Sequence, residues 1–183
     1  MGNQYDEDDL AKFVDPLVTG IATDFPADKP LNIVGIRTRG ETLAARIAAA
    51  LEQRGYTTLG RGVLDITLYR DDLSEIGPRP MVRPTRIDID LGAKPLLLVD
   101  DVLFTGRSVR AALDALSDFG RPSAIRLAVL VNRGGRELPI QPDYVGLKLT
   151  DVPRTHRVQV RLKESDGVDE IEVGPGKSTA PGK

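Results

Sequence analysis

Asp100 and Asp101 follow directly on the apolar run at 96–99 (LLLV). The small polar loop Thr105-Gly106-Arg107-Ser108 comes just after them, ahead of a helical apolar pattern. A buried strand that ends in two acids and passes through such a loop into a helix start is suited to a phosphorylated sugar. Loop amides and the helix dipole take a phosphate dianion, while the carboxylates accept hydrogen bonds from sugar hydroxyls. Gly106 lets the backbone come close to a ligand, Thr105 and Ser108 offer hydroxyls, and Arg107 places a cation beside the phosphate. On residue types alone two other readings stay open: acids that merely close a strand onto the next turn, or an acid pair that binds metal in some other α/β enzyme.

The elements around this segment alternate. Leu10, Phe13, Val14, Leu17 and Ile21 share one helical face, and Pro16 either kinks that helix or, with Asp15 as cap, starts a second one. Residues 31–36 (LNIVGI) read as a buried strand. Residues 41–54 read as a helix with Leu43, Ile47 and Leu51 inward and Gly55 closing it. Residues 63–69 (VLDITLY) have strand character, 71–92 form a long proline-punctuated loop, and 96–99 is the strand before the acids. A helix at 106–119 is stopped by Gly120-Arg121-Pro122. A strand at 125–131 leads into the loop 132–137, and shorter strands fit 144–147, 157–162 and 168–173. Strands alternating with helices, several of them continuously apolar, predict an α/β fold with a parallel sheet covered on both faces. Ligands of such sheets sit at the carboxyl ends of strands. The arginine-bearing loops 37–40, 100–108 and 132–137 all fall at strand ends.

Composition narrows the chemistry. The 183 residues suffice for one domain, expected over 1–173 without internal repeats, with 174–183 (GPGKSTAPGK) as a disordered tail. A net charge of −2 gives no global pull toward nucleic acid or membranes, so any anion site is local. With no cysteine and one histidine, disulfides, thiolate centres, a cysteine nucleophile and a His-rich metal centre are all excluded. His156 reads as a surface residue. No apolar run reaches membrane-span length, and the acidic N-terminus lacks a secretory profile, so the expected location is cytoplasmic.

VDDVLFTGRS at 99–108 matches the signature of the type I phosphoribosyltransferases, which bind 5-phosphoribosyl-1-diphosphate (PRPP). GIRTRG at 35–40, DITLYRDDL at 65–73, VRAALDAL at 109–116, FGRP at 119–122 and LAVLVNRGGRELPI at 127–140 resemble one family. It is the bifunctional pyrimidine operon attenuation protein/uracil phosphoribosyltransferase family (PyrR), and the resemblance runs from Leu31 to Val160. It implies a type I phosphoribosyltransferase fold with a mainly parallel central sheet, flanking helices and a mobile lid loop. It further implies a pentosyltransferase of pyrimidine salvage that makes UMP and diphosphate from uracil and PRPP, with Mg²⁺ bound alongside PRPP and no separate metal centre. Dimers or larger homo-oligomers are implied, as is regulation of pyrimidine genes by transcription attenuation through a messenger leader.

By position, the resemblance gives Asp100 and Asp101 the ribose hydroxyls and the catalytic role. Val102, Leu103 and Phe104 belong to the same PRPP-binding stretch, and Thr105, Gly106, Arg107 and Ser108 hold the 5-phosphate. Thr38, Arg39 and Gly40 form the diphosphate loop, and the loop after Arg70 is the lid. Arg133 and the backbone near Val158 face the pyrimidine.

The chain departs from the family where RNA is concerned. Regulatory members carry Thr-Arg-x-x-His in the N-terminal helix; here the stretch is Thr19-Gly20-Ile21-Ala22-Thr23. The loop Arg133-Gly134-Gly135-Arg136 has glycine where a histidine is common, Leu147-Lys148-Leu149-Thr150 departs from the usual lysine-asparagine segment, and Asn132 stands where an aspartate is usual. RNA affinity rests on phosphate-neutralising cations, so these departures weigh against the attenuator while leaving the transferase motifs whole. Two rivals remain: a UMP- or UTP-sensing RNA-binding attenuator with little catalysis, and a transferase for a purine base.

Overall fold

The computed structural model describes residues 3–69 and 84–176. Five strands form one parallel sheet: β2 (Leu31–Ile36), β3 (Leu59–Leu64), β4 (Pro95–Leu103), β5 (Ala124–Asn132) and β6 (Tyr144–Lys148), in the order β3-β2-β4-β5-β6. β4 is central, with Gly35 of β2 opposite Val99 and Val129 of β5 opposite Asp100. Period-two alternation splits the apolar side chains between two layers. Ile33 and Leu97 pack with Leu17 of helix α1 (Glu7–Asp24) and Ile47 of α2 (Arg39–Gln53), while Val34 and Leu98 pack with Val109 and Leu116 of α3 (Arg107–Leu116).

A second, antiparallel sheet is built from β1 (Asn3–Tyr5), β7 (His156–Arg161) and β8 (Glu170–Pro175), in the order β1-β8-β7. The short helix α4 (Lys163–Asp166) lies between β7 and β8. Val158, Val160, Ile171 and Val173 join the same apolar cluster as α1 and α2, so both sheets share a core. Among the described residues no helix is long and apolar enough to cross a membrane.

Several expectations shift here. The N-terminal segment is one helix running through Pro16, capped by Asp6, whose carboxylate accepts from the Asp9 amide at 3.1 Å. The strand expected at 63–69 instead spans Leu59–Leu64. It stops because the Asp65 carboxylate takes the Thr67 amide at 2.8 Å and the Thr67 hydroxyl, which turns the chain into a single 3₁₀ turn, Thr67–Tyr69. Its start looks like a loop in sequence because of Gly60 and Gly62, yet a Cβ on Gly60 would lie 2.1 Å from Asn32 Oδ1 of the neighbouring strand. β4 continues past Val99, so both acids sit inside the strand. The tail expected from residue 174 begins inside β8, which includes Gly174 and Pro175. The expected lid at 71–92 lies largely outside the described residues, as do 177–183. The chain returns at Arg86, which pairs with Val63 through two 2.8 Å backbone hydrogen bonds.

Candidate functional site

A cleft of about 550 Å³ opens at the carboxyl edge of the parallel sheet, lined by three strand ends, the start of α3 and Arg157 of β7. Asp100 and Asp101 form its floor. Asp100 is buried and Asp101 half-buried. The Asp100 carboxylate accepts from the Asp101 amide and the Asp101 carboxylate from the Val102 amide, each at 2.9 Å. Burial pushes the Asp100 carboxyl well above the ordinary carboxylate range, and the adjacent charge of Asp101 adds to the rise. Burial raises Asp101 as well, against the opposing pull of hydrogen bonds and of the Arg39 cation. Two acids held so close and so dry, among mostly backbone donors, are primed for ligand hydroxyls or a cation.

The anion side is built by backbone. Gly106 caps α3 with φ +94, a left-handed conformation open to glycine. Gly106 has no side chain to cap the helix, so beyond the Arg107 amide the helix start turns its next amides toward an anion. Thr105 braces the turn: its carbonyl accepts the amides of Glu137 and Leu138, and its hydroxyl accepts the Arg107 amide. Ser108 lines the cleft. The Arg107 side chain pairs with Glu137 at 2.9 Å; that carboxylate also takes Arg154 and is held below its ordinary range, first by its hydrogen bond from Arg107.

The opposite wall is the loop between β2 and α2, where the Arg37–Thr38 peptide is cis. Gly40 allows this wall to approach the acids, since a Cβ there would lie 2.5 Å from the Val99 carbonyl oxygen. Arg37 is largely enclosed in the cleft wall, and its buried Nε has no hydrogen-bond partner among the described residues. Arg39 grips Asp166 of α4 with two hydrogen bonds.

Thr38, Arg39, Asp100, Asp101, Val102 and Ser108 therefore meet at one cleft, with Gly40, Thr105, Gly106 and Arg107 immediately behind or beside it. Leu103 is core. Phe104 lies over the Arg133 guanidinium, 3.9 Å from ring centroid to carbon. Arg133 itself is buried and donates to the carbonyls of His156 and Pro153 at 2.8 and 3.0 Å, so its fork fastens β5 to the approach of β7. The Val158 side chain packs in the core, and it is its neighbour Arg157 that reaches the cleft. Sequence reasoning missed Arg157, Asp65 and Thr67 as lining residues. Alternation along HRVQVR carried the signal for Arg157: if Val158 and Val160 face inward, Arg157 faces the other way.

Among the described residues no group of three or more acids or histidines could cage a metal. The acid pair with ligand oxygens suits Mg²⁺ instead, which is commonly held by one or two carboxylates plus substrate phosphate.

A phosphoribosyl transferase domain matches residues 10–164. The chain is 57% identical over 146 residues to a bifunctional protein PyrR of Chloroflexus aurantiacus, covering 80% of each. It is 47% identical over 168 residues to that of Elusimicrobium minutum, covering 92% of this chain and 93% of the relative. In fold it resembles a hypoxanthine phosphoribosyltransferase of Trypanosoma cruzi (TM-score 0.70, 17% identity, 96% and 95% covered). It also resembles one of Staphylococcus aureus (TM-score 0.62, 21% identity, 94% and 90% covered). With the acid pair and the anion-ready helix start facing one cleft, and with relatives this close over most of its length, the chain belongs to the phosphoribosyl transferases and, within them, to the bifunctional PyrR proteins.

Proposed function

We infer that this chain transfers the 5-phosphoribosyl group of PRPP to uracil, forming UMP and diphosphate. The observation that carries this reading is the cleft itself: a buried and a half-buried carboxylate on its floor, the start of α3 at one end, and the arginine-bearing turn between β2 and α2 at the other. The 5-phosphate docks on the amides after Gly106, the ribose hydroxyls on Asp100 and Asp101, and the diphosphate against Thr38, Arg39 and the unpartnered Nε of Arg37. A weakly nucleophilic ring nitrogen attacks an anomeric carbon that carries developing positive charge. The acids below the ribose stabilise that charge, and the arginines stabilise the departing diphosphate. Asp100 and Asp101, with donor oxygens, would hold Mg²⁺, which would supply further charge neutralisation on the diphosphate. No covalent nucleophile is needed. Because water would hydrolyse the donor, the reaction requires that water be kept from the anomeric carbon.

A panel of free bases tests the proposal. Diphosphate release and UMP formation with uracil are expected, and a preference for hypoxanthine or guanine would overturn it. The homo-oligomer that belongs to this reading is checked by sedimentation equilibrium.

On the regulatory side, the reading assigns weak RNA affinity. Arg133 and Arg136 of the loop after β5 are committed inside the protein, Arg136 to the carbonyls of Leu103, Phe104 and Ile140 and to Asn132 Oδ1. Arg54, beside the N-terminal helix, is paired with Asp15. Arg133 and Arg136 are therefore not free to neutralise phosphates, while the exposed Arg54 pair is only a weak restraint.

A further inference from the structure

Arg39 is held by a residue far away in sequence. Its Nε donates to Asp166 Oδ2 at 3.1 Å and its Nη2 to Oδ1 at 2.8 Å, a fork on one carboxylate. Asp166 is itself fixed, because its Oδ2 also accepts the Leu162 amide at 2.9 Å and the Ser165 hydroxyl at 2.8 Å. The short helix that carries it is fastened to α2 by Arg46, which pairs with both Glu164 and Asp169. The fork uses two of the five guanidinium donors. Among the described residues no other acceptor takes the rest, and Arg39 lines the same cleft as Asp101. Its charge is felt there, drawing the Asp101 carboxyl down against the effect of burial.

We propose that Asp166 is a positioning residue for the donor: it locks Arg39 so that the free edge of the guanidinium meets the diphosphate. The proposal rests on the transferase reading above. An arginine on an exposed loop would sample many rotamers and lose that freedom on binding. Here the loss is taken at folding, so α4 orders the start of α2 that receives the leaving group. A carboxylate beside an anion site is otherwise unfavourable, which makes the sign of its removal informative. If Asp166 acted only through its charge, neutralising it would tighten diphosphate binding. If it acts by positioning Arg39, neutralising it weakens binding, and only while Arg39 is present. If it merely held α4 together, the loss would persist without Arg39.

The test measures binding of inorganic diphosphate with Mg²⁺ to the full chain by calorimetry, alongside the KM for PRPP and for uracil. Asp166→Asn is expected to weaken diphosphate binding and raise the KM for PRPP by about tenfold, as for loss of a charge-assisted fork. The KM for uracil stays within about twofold, as for a site not coupled to the change. In an Arg39→Ala background the same substitution has no further effect. Asp166→Glu, which keeps the charge but displaces it, gives an intermediate loss and replaces the Asn variant if that one does not fold. Diphosphate binding as tight as or tighter than in the unmodified protein overturns the proposal, as does an equal loss in the Arg39→Ala background. Failure of the unmodified protein to make UMP from uracil would instead count against the transferase reading, which the diphosphate measurement does not need.

Discussion

Asp100 is costly where it stands. Its folded carboxyl is raised above the ordinary value near 3.8, so the stability it contributes is present below that pH and is lost as pH rises through the folded value. Holding this buried carboxyl in its charged form therefore works against folding. Asp100→Asn is expected to lower turnover at least a hundredfold, roughly the loss seen when one preorganised electrostatic group is removed. The same variant is expected to raise unfolding stability at pH 7 by about 1 kcal/mol, since a buried like-charge contact is relieved. Denaturant titrations at pH 7 and pH 4 check the sign: the advantage of the variant shrinks at the lower pH. Glycine positions give the opposite result. Gly106→Ala forces a side chain into the left-handed region and is expected to cost about 1–2 kcal/mol and to weaken phosphate binding. Thermal melts with and without inorganic phosphate separate the two effects.

At the scale of elements, α4 and the loop after β5 do more than their lengths suggest. The Arg39 hydrogen bond, the first of several causes, draws the Asp166 carboxyl down to about 2. The stability from that pair is thus complete above the ordinary carboxylate value and disappears as pH falls through about 2. Unfolding curves of the unmodified protein and of Asp166→Asn should differ at pH 5 and converge near pH 2, following that folded value. Arg133 is the other hidden anchor. Arg133→Met leaves the carbonyls of Pro153 and His156 without their donor, and a loss of about 2–3 kcal/mol is expected in urea unfolding. If Arg133 instead read the pyrimidine edge directly, the KM for uracil would rise with little change in stability.

Across the whole molecule, the net charge of −2 and the inward commitment of Arg133 and Arg136 bear on RNA. Binding to a pyrimidine leader hairpin is expected to be weak. Its salt dependence should correspond to about two or fewer neutralised phosphates, from a log–log slope near −0.7 per phosphate on single-stranded RNA. Filter binding across a salt series measures that slope, and a steep one would show cations outside this account. The fusion of two sheets on one core also matters at this scale. Residues of β7 and β8 pack with α1 and α2, which puts Arg157 in the cleft lining and Asp166 against Arg39.

The parallel sheet was readable from the chain because strand segments such as 96–99 (LLLV) and 127–131 (LAVLV) are continuous apolar runs that suit a doubly covered sheet. The acid pair and the Thr-Gly-Arg-Ser turn were readable because their chemistry is local: adjacent carboxylates, a glycine and a helix start lie within one stretch. The rest depends on partners distant in sequence. β1 is three polar-to-intermediate residues with no periodic signal, and it exists because β8 offers an edge. The start of β3 carries glycines for reasons that lie across the ladder, Gly60 making room for Asn32 and Gly62 for Val34. Arg39 and Arg133 look alike on paper as arginines of strand-end loops. One faces the cleft on a carboxylate from α4 and the other is buried on two carbonyls, and only packing assigns an arginine's five donors.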